Sequence, residues 1–339
     1  MKKWTKTVLA IAVVIVLIVV SVDFFADKNK LYEKNSTAMG TVINQKIYGE
    51  NAEKTANEID DMLADLDCNV FSTKAKSSLT YKLNQEKQIK TDNKDFLNLT
   101  KMSIDFSKNC GGAYDITMGE LSSIWGIGTE NARIPSENEI DTALKNVGSE
   151  KIVVENSAVT IGQRQIVDFG ASAKGYGADK AKEILQKNGV EKATVSVGGS
   201  ILVYGASEKE PFKIGIKDPF KTETQVIATL ELSDCFVSTS GNYERFFEKD
   251  GVRYHHILDS KTGYPAKSDF ASVTVVADNG ALSDMISTAC YILDFQSSLK
   301  LLESYDAEGV FIFNDGSIKI TDGLKDKFQC DDKDFEAVK

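Results

Sequence analysis

The order in which the hydrophobic period changes along this chain constrains its fold more than any other feature. Ala52, Ala56, Ile59, Leu63 and Leu66 fall on one face of a helix over 52–66, and Phe96, Leu99, Met102 and Phe106 repeat the pattern over 92–107. Ser136-x-x-Glu139, directly after Pro135, is a capping box that opens a helix through Val147. Residues 152–155 and 158–161, joined by Asn156-Ser157, predict a hairpin. A helix from about Gly177 to Gly189 turns Ala178, Ala181, Ile184 and Leu185 inward. From Ala193 onward strand patterns dominate, over 193–203, 212–217, 225–232, 235–239, 252–258 and 271–277. Helices over 280–293 and 296–304 follow, then residues 309–313 and 317–320 flank the hairpin turn Asn314-Asp315-Gly316. Helices and strands interleave without a regular strand–helix–strand rhythm, which predicts an α+β fold rather than a doubly wound sheet.

A length of 339 residues, 42% hydrophobic and 27% charged, supports one large domain or two modest ones with a full core. The net charge is −10; Lys2, Lys3 and Lys6 against Asp23 leave residues 1–26 at +2, so the remainder carries −12. An acidic body without a basic cluster argues against nucleic acid as a partner. Those lysines precede a nearly unbroken apolar run over 8–22, an export signal with a positive inner flank. The run is short for a membrane span and long for a cleaved signal, and Phe24-Phe25-Ala26 makes a poor cleavage site. The expectation is therefore a membrane anchor or signal over 1–26 and a body over 36–330 on the extracytoplasmic face. The 5 cysteines, irregularly spaced and without a Cys-x-x-Cys, read as scattered small core residues rather than a disulfide framework.

Several apparent motifs fail on their chemistry. Residues 170–175 resemble a phosphate loop, but Lys174 is followed by Gly175 rather than Ser or Thr. Lys261-Thr262-Gly263 lacks an upstream Ser-x-x-Lys, and 2 histidines cannot build a His-rich zinc site. What remains is a set of polar segments. Asp168 and Lys174 stand with glycines just ahead of a helix, where backbone amides can meet an anion. Ser238-Thr239-Ser240-Gly241 ends a strand, and His255-His256 precedes Ile257-Leu258-Asp259. Asp284 and Thr288 lie one helical turn apart, oxygen ligands suited to a hard ion such as magnesium. Each alone also has an ordinary use: a solvent-facing aspartate, a core histidine, a surface ion pair.

Read in order, these segments resemble the ApbE family of FAD:protein FMN transferases. The likeness begins at Met39-Gly40-Thr41 and includes residues 78–84, Gly111-Gly112-Ala113-Tyr114-Asp115-Ile116-Thr117, the stretch around Trp125, and residues 167–179. It continues through Gly198-Gly199, residues 215–219, Thr239-Ser240-Gly241, residues 256–263 and 284–289, to about Leu293.

The resemblance implies an α+β, T-fold-related body with a flavin cleft between two lobes, and FAD as substrate. It implies Mg2+ on the diphosphate, held by the Ala171 carbonyl and the side chains of Asp284 and Thr288. It places FAD contacts on Met39, Ala113, Tyr114, Asp115, Asp168, Lys174, Thr239, Ser240, Gly241, Ile257 and Leu258, and a general base at His256. The implied partner is an exported or membrane redox protein that offers a threonine to the FMN-side phosphorus while AMP leaves. Many relatives have proline where this chain has Ser260, and transferases often carry an aromatic where Lys74 stands. An FAD pyrophosphatase using water as acceptor, or a flavin-binding protein without catalysis, are the competing readings.

Overall fold

The computed structural model describes residues 30–221, 225–330 and 337–338. The expected anchor over 1–26 lies outside the described residues, and no helix among them is long and apolar enough to cross a membrane.

An antiparallel hairpin comes first, β1 (Leu31–Ala38) and β2 (Thr41–Tyr48), closed by Met39 and Gly40 at φ 53° and 68°. Both turn residues are left-handed, the geometry that matches strand twist in a two-residue loop. The periodicities above assign no element here, because β1 is an edge strand of mostly polar residues alternating between exposed and half-buried. Helix α1 (Ala52–Asp65) runs on into a π-turn over Leu66–Phe71, followed by α2 (Leu79–Glu86), β3 (Gln88–Lys90), α3 (Lys94–Asn109), α4 (Gly119–Trp125) and α5 (Glu137–Leu144). The capping box of α5 forms as expected, with Ser136 and Glu139 each bonding the other's backbone. Strands β4 (Val153–Glu155) and β5 (Ala158–Thr160) make the expected hairpin, with Asn156 and Ser157 both at positive φ.

Helix α6 (Ala173–Lys187) starts four residues earlier than its apolar spacing suggests, because Gly175 and Gly177 are helical and mark close approaches rather than a loop. The expected single strand over 193–203 is instead a hairpin, β6 (Lys192–Val197) and β7 (Ser200–Tyr204), bent at Gly198-Gly199. Then come β8 (Phe212–Lys217), β9 (Val226–Leu232), β10 (Cys235–Gly241), β11 (Phe246–Lys249), β12 (Val252–His255) and β13 (Phe270–Ala277). Helices α7 (Gly280–Ile292) and α8 (Phe295–Ser304) precede β14 (Glu308–Phe313), β15 (Ile318–Ile320), β16 (Phe328–Cys330) and β17 (Ala337–Val338).

Among the described residues the central sheet has nine strands in the order β1-β2-β6-β7-β10-β13-β14-β15-β17, all antiparallel neighbours except β15 and β17. Alternation along its strands splits the core into layers. Leu202 and Phe236 point to one face, where they pack with Ile59, Leu63, Ala178 and Leu185 of α1 and α6. Val203, Cys235 and Val237 point to the other, against Ile216, Ile227 and Leu230 of the β16-β9-β8 sheet. Helix α7 lies on β10 and β13 and also packs along α6. The α+β expectation holds: helices cover one face of an antiparallel sheet. Cys110, Cys235 and Cys290 are buried thiols, as small core residues would be, whereas Cys68 is exposed.

Candidate active site

Helix α7 is buried nearly all round, and Asp284 sits within it at 4% exposure. The alternative of a solvent-facing aspartate therefore does not hold. An unpaired carboxylate there would cost several kcal/mol, on the order of a buried ion without a partner. Its partners come from the start of α6: Lys174 Nζ lies 3.2 Å from Oδ2 and 3.5 Å from Oδ1, and the Gly175 amide donates to Oδ2 at 3.2 Å. Lys174 also donates to the Gly170 carbonyl at 2.8 Å. The segment that contains Ala171 is thereby tied to the helix that carries Asp284 and Thr288.

A column of hydroxyls joins α7 to β10. Ser238 bonds Ser283 at 2.6 Å, and Ser240 reaches Ser287 at 2.9 Å and Thr288 at 3.3 Å. Two residues of strand and four of helix advance by nearly the same distance, about 6–7 Å, so the i+2 and i+4 repeats stay in step. Thr239 points to the opposite face and pairs with Thr274 at 2.8 Å. Gly241 has no room for a side chain, since a Cβ would meet the Tyr243 ring at 2.5 Å.

The two histidines part company at the end of β12. His255 is the core residue, 6% exposed, with Nε2 bonded to the Ala266 carbonyl at 3.1 Å and its ring edge-on to Tyr291. His256 is half-buried; its Nδ1 lies 3.3 Å from the Arg245 carbonyl. A carbonyl only accepts, so that bond puts the proton on Nδ1 and leaves the Nε2 lone pair available. Burial, then the charges of Arg245 and Lys174, push the His256 imidazole down to about 4, which keeps it neutral near pH 7.

The remaining residues named above are placed as follows. Met39 stands at the turn of the first hairpin, its amide donating to Asp67 Oδ2 at 2.7 Å. Ala113 and Tyr114 are buried, and the Tyr114 hydroxyl lies between Ser103 and Ser172 at 3.0 and 2.9 Å. The Asp115 carboxylate is taken up internally by the Thr117 amide and hydroxyl, Ser107 and the Ser149 amide. Asp168 closes a local turn onto the Gly170 amide at 2.8 Å. Ile257 and Leu258 are buried, and the loop they begin is pinned by Trp125 Nε1 to the Gly263 carbonyl at 2.8 Å and by Ser260 Oγ to the Gly112 carbonyl at 2.6 Å. Lys74 is exposed; the aromatic of that region, Phe71, turns inward against Phe169 and Tyr176.

Sequence reasoning missed Asp67, Glu244 and Arg245. They line an open cleft of about 680 Å³ with Gly40 and Thr41, and the Arg245 carbonyl is the one that orients His256. Their only sequence signal was position: Asp67 follows a helix and Glu244-Arg245 follows Ser240-Gly241.

Among the described residues no cluster of three or more His, Cys, Asp or Glu could hold a metal alone. Asp284 and Thr288 supply one carboxylate and one hydroxyl, both hard oxygen donors, on a face that also meets the 170–175 backbone. This donor set fits an ion that shares its shell with backbone, water and substrate oxygens, as magnesium does.

Comparison with known proteins agrees with the sequence resemblance. A profile of the ApbE family matches residues 39–311. The FAD:protein FMN transferase of Treponema pallidum is 32% identical over 256 residues, 70% of either chain. That of Haemophilus influenzae is 29% identical over 320 residues, covering 89% of this chain and 91% of its own. The crystal structure of the ApbE protein of Thermotoga maritima matches with a TM-score of 0.80 at 32% identity, over 87% of this chain and 98% of that one. The flavinyl transferase ApbE of Pseudomonas stutzeri matches at 0.77 and 26% identity, over 88% and 97%. With its family profile spanning most of the body and its fold shared, this chain belongs to the ApbE family.

Proposed function

We propose that this chain transfers FMN from FAD to a threonine hydroxyl of a partner protein, releasing AMP, in a magnesium-dependent reaction. The observation that carries the reading is the buried Asp284 carboxylate, gripped by Lys174 and Gly175, on the helix whose Thr288 hydroxyl meets Ser240. The names of the relatives, FAD:protein FMN transferase, supply the reaction class.

Ala171 through its carbonyl, Asp284 and Thr288 would hold the ion. When bound, magnesium offsets the diphosphate charge that otherwise repels an incoming nucleophile. The residues of the chain account for the rest. Lys174, a compact cation at the head of α6, meets phosphate oxygens as a point charge. His256, neutral and with Nε2 open, accepts the proton of the attacking hydroxyl. The Arg245 carbonyl fixes the tautomer that makes this possible. The open cleft at Gly40, Thr41 and Asp67, which Arg245 also lines, is the space this reading gives to part of the flavin dinucleotide. The body is read as extracytoplasmic, held or exported by the segment over 1–26, and its partner as an exported redox protein; the lysine-flanked apolar run supports this.

The test is incubation of the full chain with FAD, magnesium and candidate exported acceptor proteins. The expected result is covalently fluorescent acceptor with FMN on a threonine by mass spectrometry and stoichiometric AMP. Free FMN and AMP with unlabelled acceptors would replace this reading with hydrolysis, and FAD retained without AMP would replace it with simple flavin binding.

A further inference from the structure

Asp179, in the second turn of α6, takes no part in the chemistry above. Its carboxylate leaves its own helix and accepts the Gly280 amide at 2.7 Å and the Ala281 amide at 2.8 Å, the first two of α7. Helix α7 already has a local cap, the Asn279 side chain on the Leu282 amide at 2.9 Å. Burial pushes the Asp179 carboxyl up to about 6, so keeping it ionised here costs free energy that an ordinary helix start would not require. The arrangement is reciprocal. On α6, Gly175 and Asp179 are one turn apart; on α7, Gly280 and Asp284 are one turn apart. Gly175 donates to Asp284, and Asp179 accepts from Gly280. Between these bonds the backbones touch, with a Cβ on Gly175 falling 2.0 Å from the Gly280 oxygen. Two helices crossing this closely are fixed in both translation and rotation by one bond on each side of the contact.

We propose that Asp179 is a positioning residue for the metal-ligand set, gripping the first turn of α7 from α6 so that Asp284 and Thr288 stay in register with the segment carrying Ala171. The inference rests on the assignment of Asp284 and Thr288 as ligands. Partners bonded directly to a metal ligand typically change metal affinity by about 10–100-fold; Asp179 acts through the first turn of α7, one turn before Asp284.

Mn2+ serves as the probe, titrated into the full chain and followed by electron paramagnetic resonance, with and without FAD. Asp179→Ala is expected to raise the Mn2+ Kd at least about tenfold. Asp179→Asn, which keeps one acceptor oxygen and loses the other, should fall between it and the parent. Asp294→Ala removes the cap of α8 on the Ser297 amide, away from the site, and controls for helix destabilisation. It should lower Tm without moving the Mn2+ Kd. At saturating metal, AMP release by Asp179→Asn should return toward the parental kcat, as it would not if the residue touched the reacting atoms. Parental Mn2+ affinity in Asp179→Asn and Asp179→Ala, or an equal loss in Asp294→Ala, overturns the positioning role. Parental affinity in Asp284→Ala overturns the ligand assignment beneath it.

Discussion

Gly175 and Gly280 meet backbone to backbone where α6 crosses α7: a Cβ on the first would lie 2.0 Å from the carbonyl oxygen of the second, and one on the second 2.3 Å from the carbonyl oxygen of the first. Neither obstacle is the movable end of a side chain, so a methyl group at either position must push the helices apart. The same Cβ on Gly175 would stand 2.9 Å from Cβ of Asp284, so the displacement falls on the site itself. Gly175→Ala is therefore expected to lower the unfolding free energy by about 2–3 kcal/mol and to abolish transfer. Gly189→Ala, at φ +65° with nothing within 4 Å, carries only backbone strain, about 1–2 kcal/mol, and should leave transfer intact. Urea midpoints at constant m, with AMP release, compare the two; similar activity losses would mean that the crossing does not set the site.

The ion pair of Asp284 with Lys174 makes a second prediction. The lysine side chain is 23% exposed and the aspartate 6%, so Lys174 can turn toward water when its partner is neutralised, whereas Asp284 cannot. Lys174→Met should thus destabilise the apo protein more than Asp284→Asn does. A double-mutant cycle in urea should give a coupling of about 1–2 kcal/mol, within the usual span for contacting residues. Asp284→Asn should also lower turnover and shift its magnesium dependence to higher concentration, and chelation of the parent should stop turnover. A cycle closing near zero would show that the two charges are not coupled in solution.

What could be read in the sequence was what local pattern dictates. Helix α3 and the capping box of α5 follow from spacing and cap chemistry. So does the turn at Asn156-Ser157. Asp284 and Thr288 could be paired because a helix places residues four apart on one face. The rest depends on contacts across the chain. Asp67 and Arg245 reach the cleft only because β1 and β2 fold back beside them, and β1 is too polar to announce itself as a strand. The early start of α6 was hidden because its glycines look like a loop until α7 is known to lie against them. Asp115, implied by family resemblance as a flavin contact, spends its carboxylate on Thr117 and Ser149, a use that no spacing reveals.

Trp125 gives a third prediction. It is fully buried, stacks on Tyr254 and donates Nε1 to the Gly263 carbonyl at 2.8 Å, pinning the far end of the loop that begins at His256. Trp125→Phe keeps an aromatic in the core but leaves that carbonyl without its donor, a cost of about 1–3 kcal/mol. A loosened loop should raise KM for FAD and broaden His256 resonances without moving the acid limb of the rate. An unchanged KM with the same stability loss would confine the role of Trp125 to packing.

The acid limb tests His256 itself. In the folded chain its imidazole takes up a proton only near pH 4, against about 6.5 for an unfolded histidine. Between those values the unfolded state binds more protons, so this residue's contribution to stability is whole above about 6.5 and is lost as pH falls toward 4. Asp179 acts in the opposite sense: raised to about 6 from 3.8, it favours the folded state most below 3.8 and gives up that contribution as pH rises through 6. Stability alone therefore cannot isolate His256, but kcat/KM at saturating magnesium can. Its acid limb should fall near 4 rather than 6.5, since the free-enzyme base must be neutral. His256→Gln should slow transfer by about 10²–10⁴-fold and remove that limb, while FAD binding is retained. A slower enzyme that kept the parental pH profile would place the base on another residue and leave His256 only the contact with Arg245.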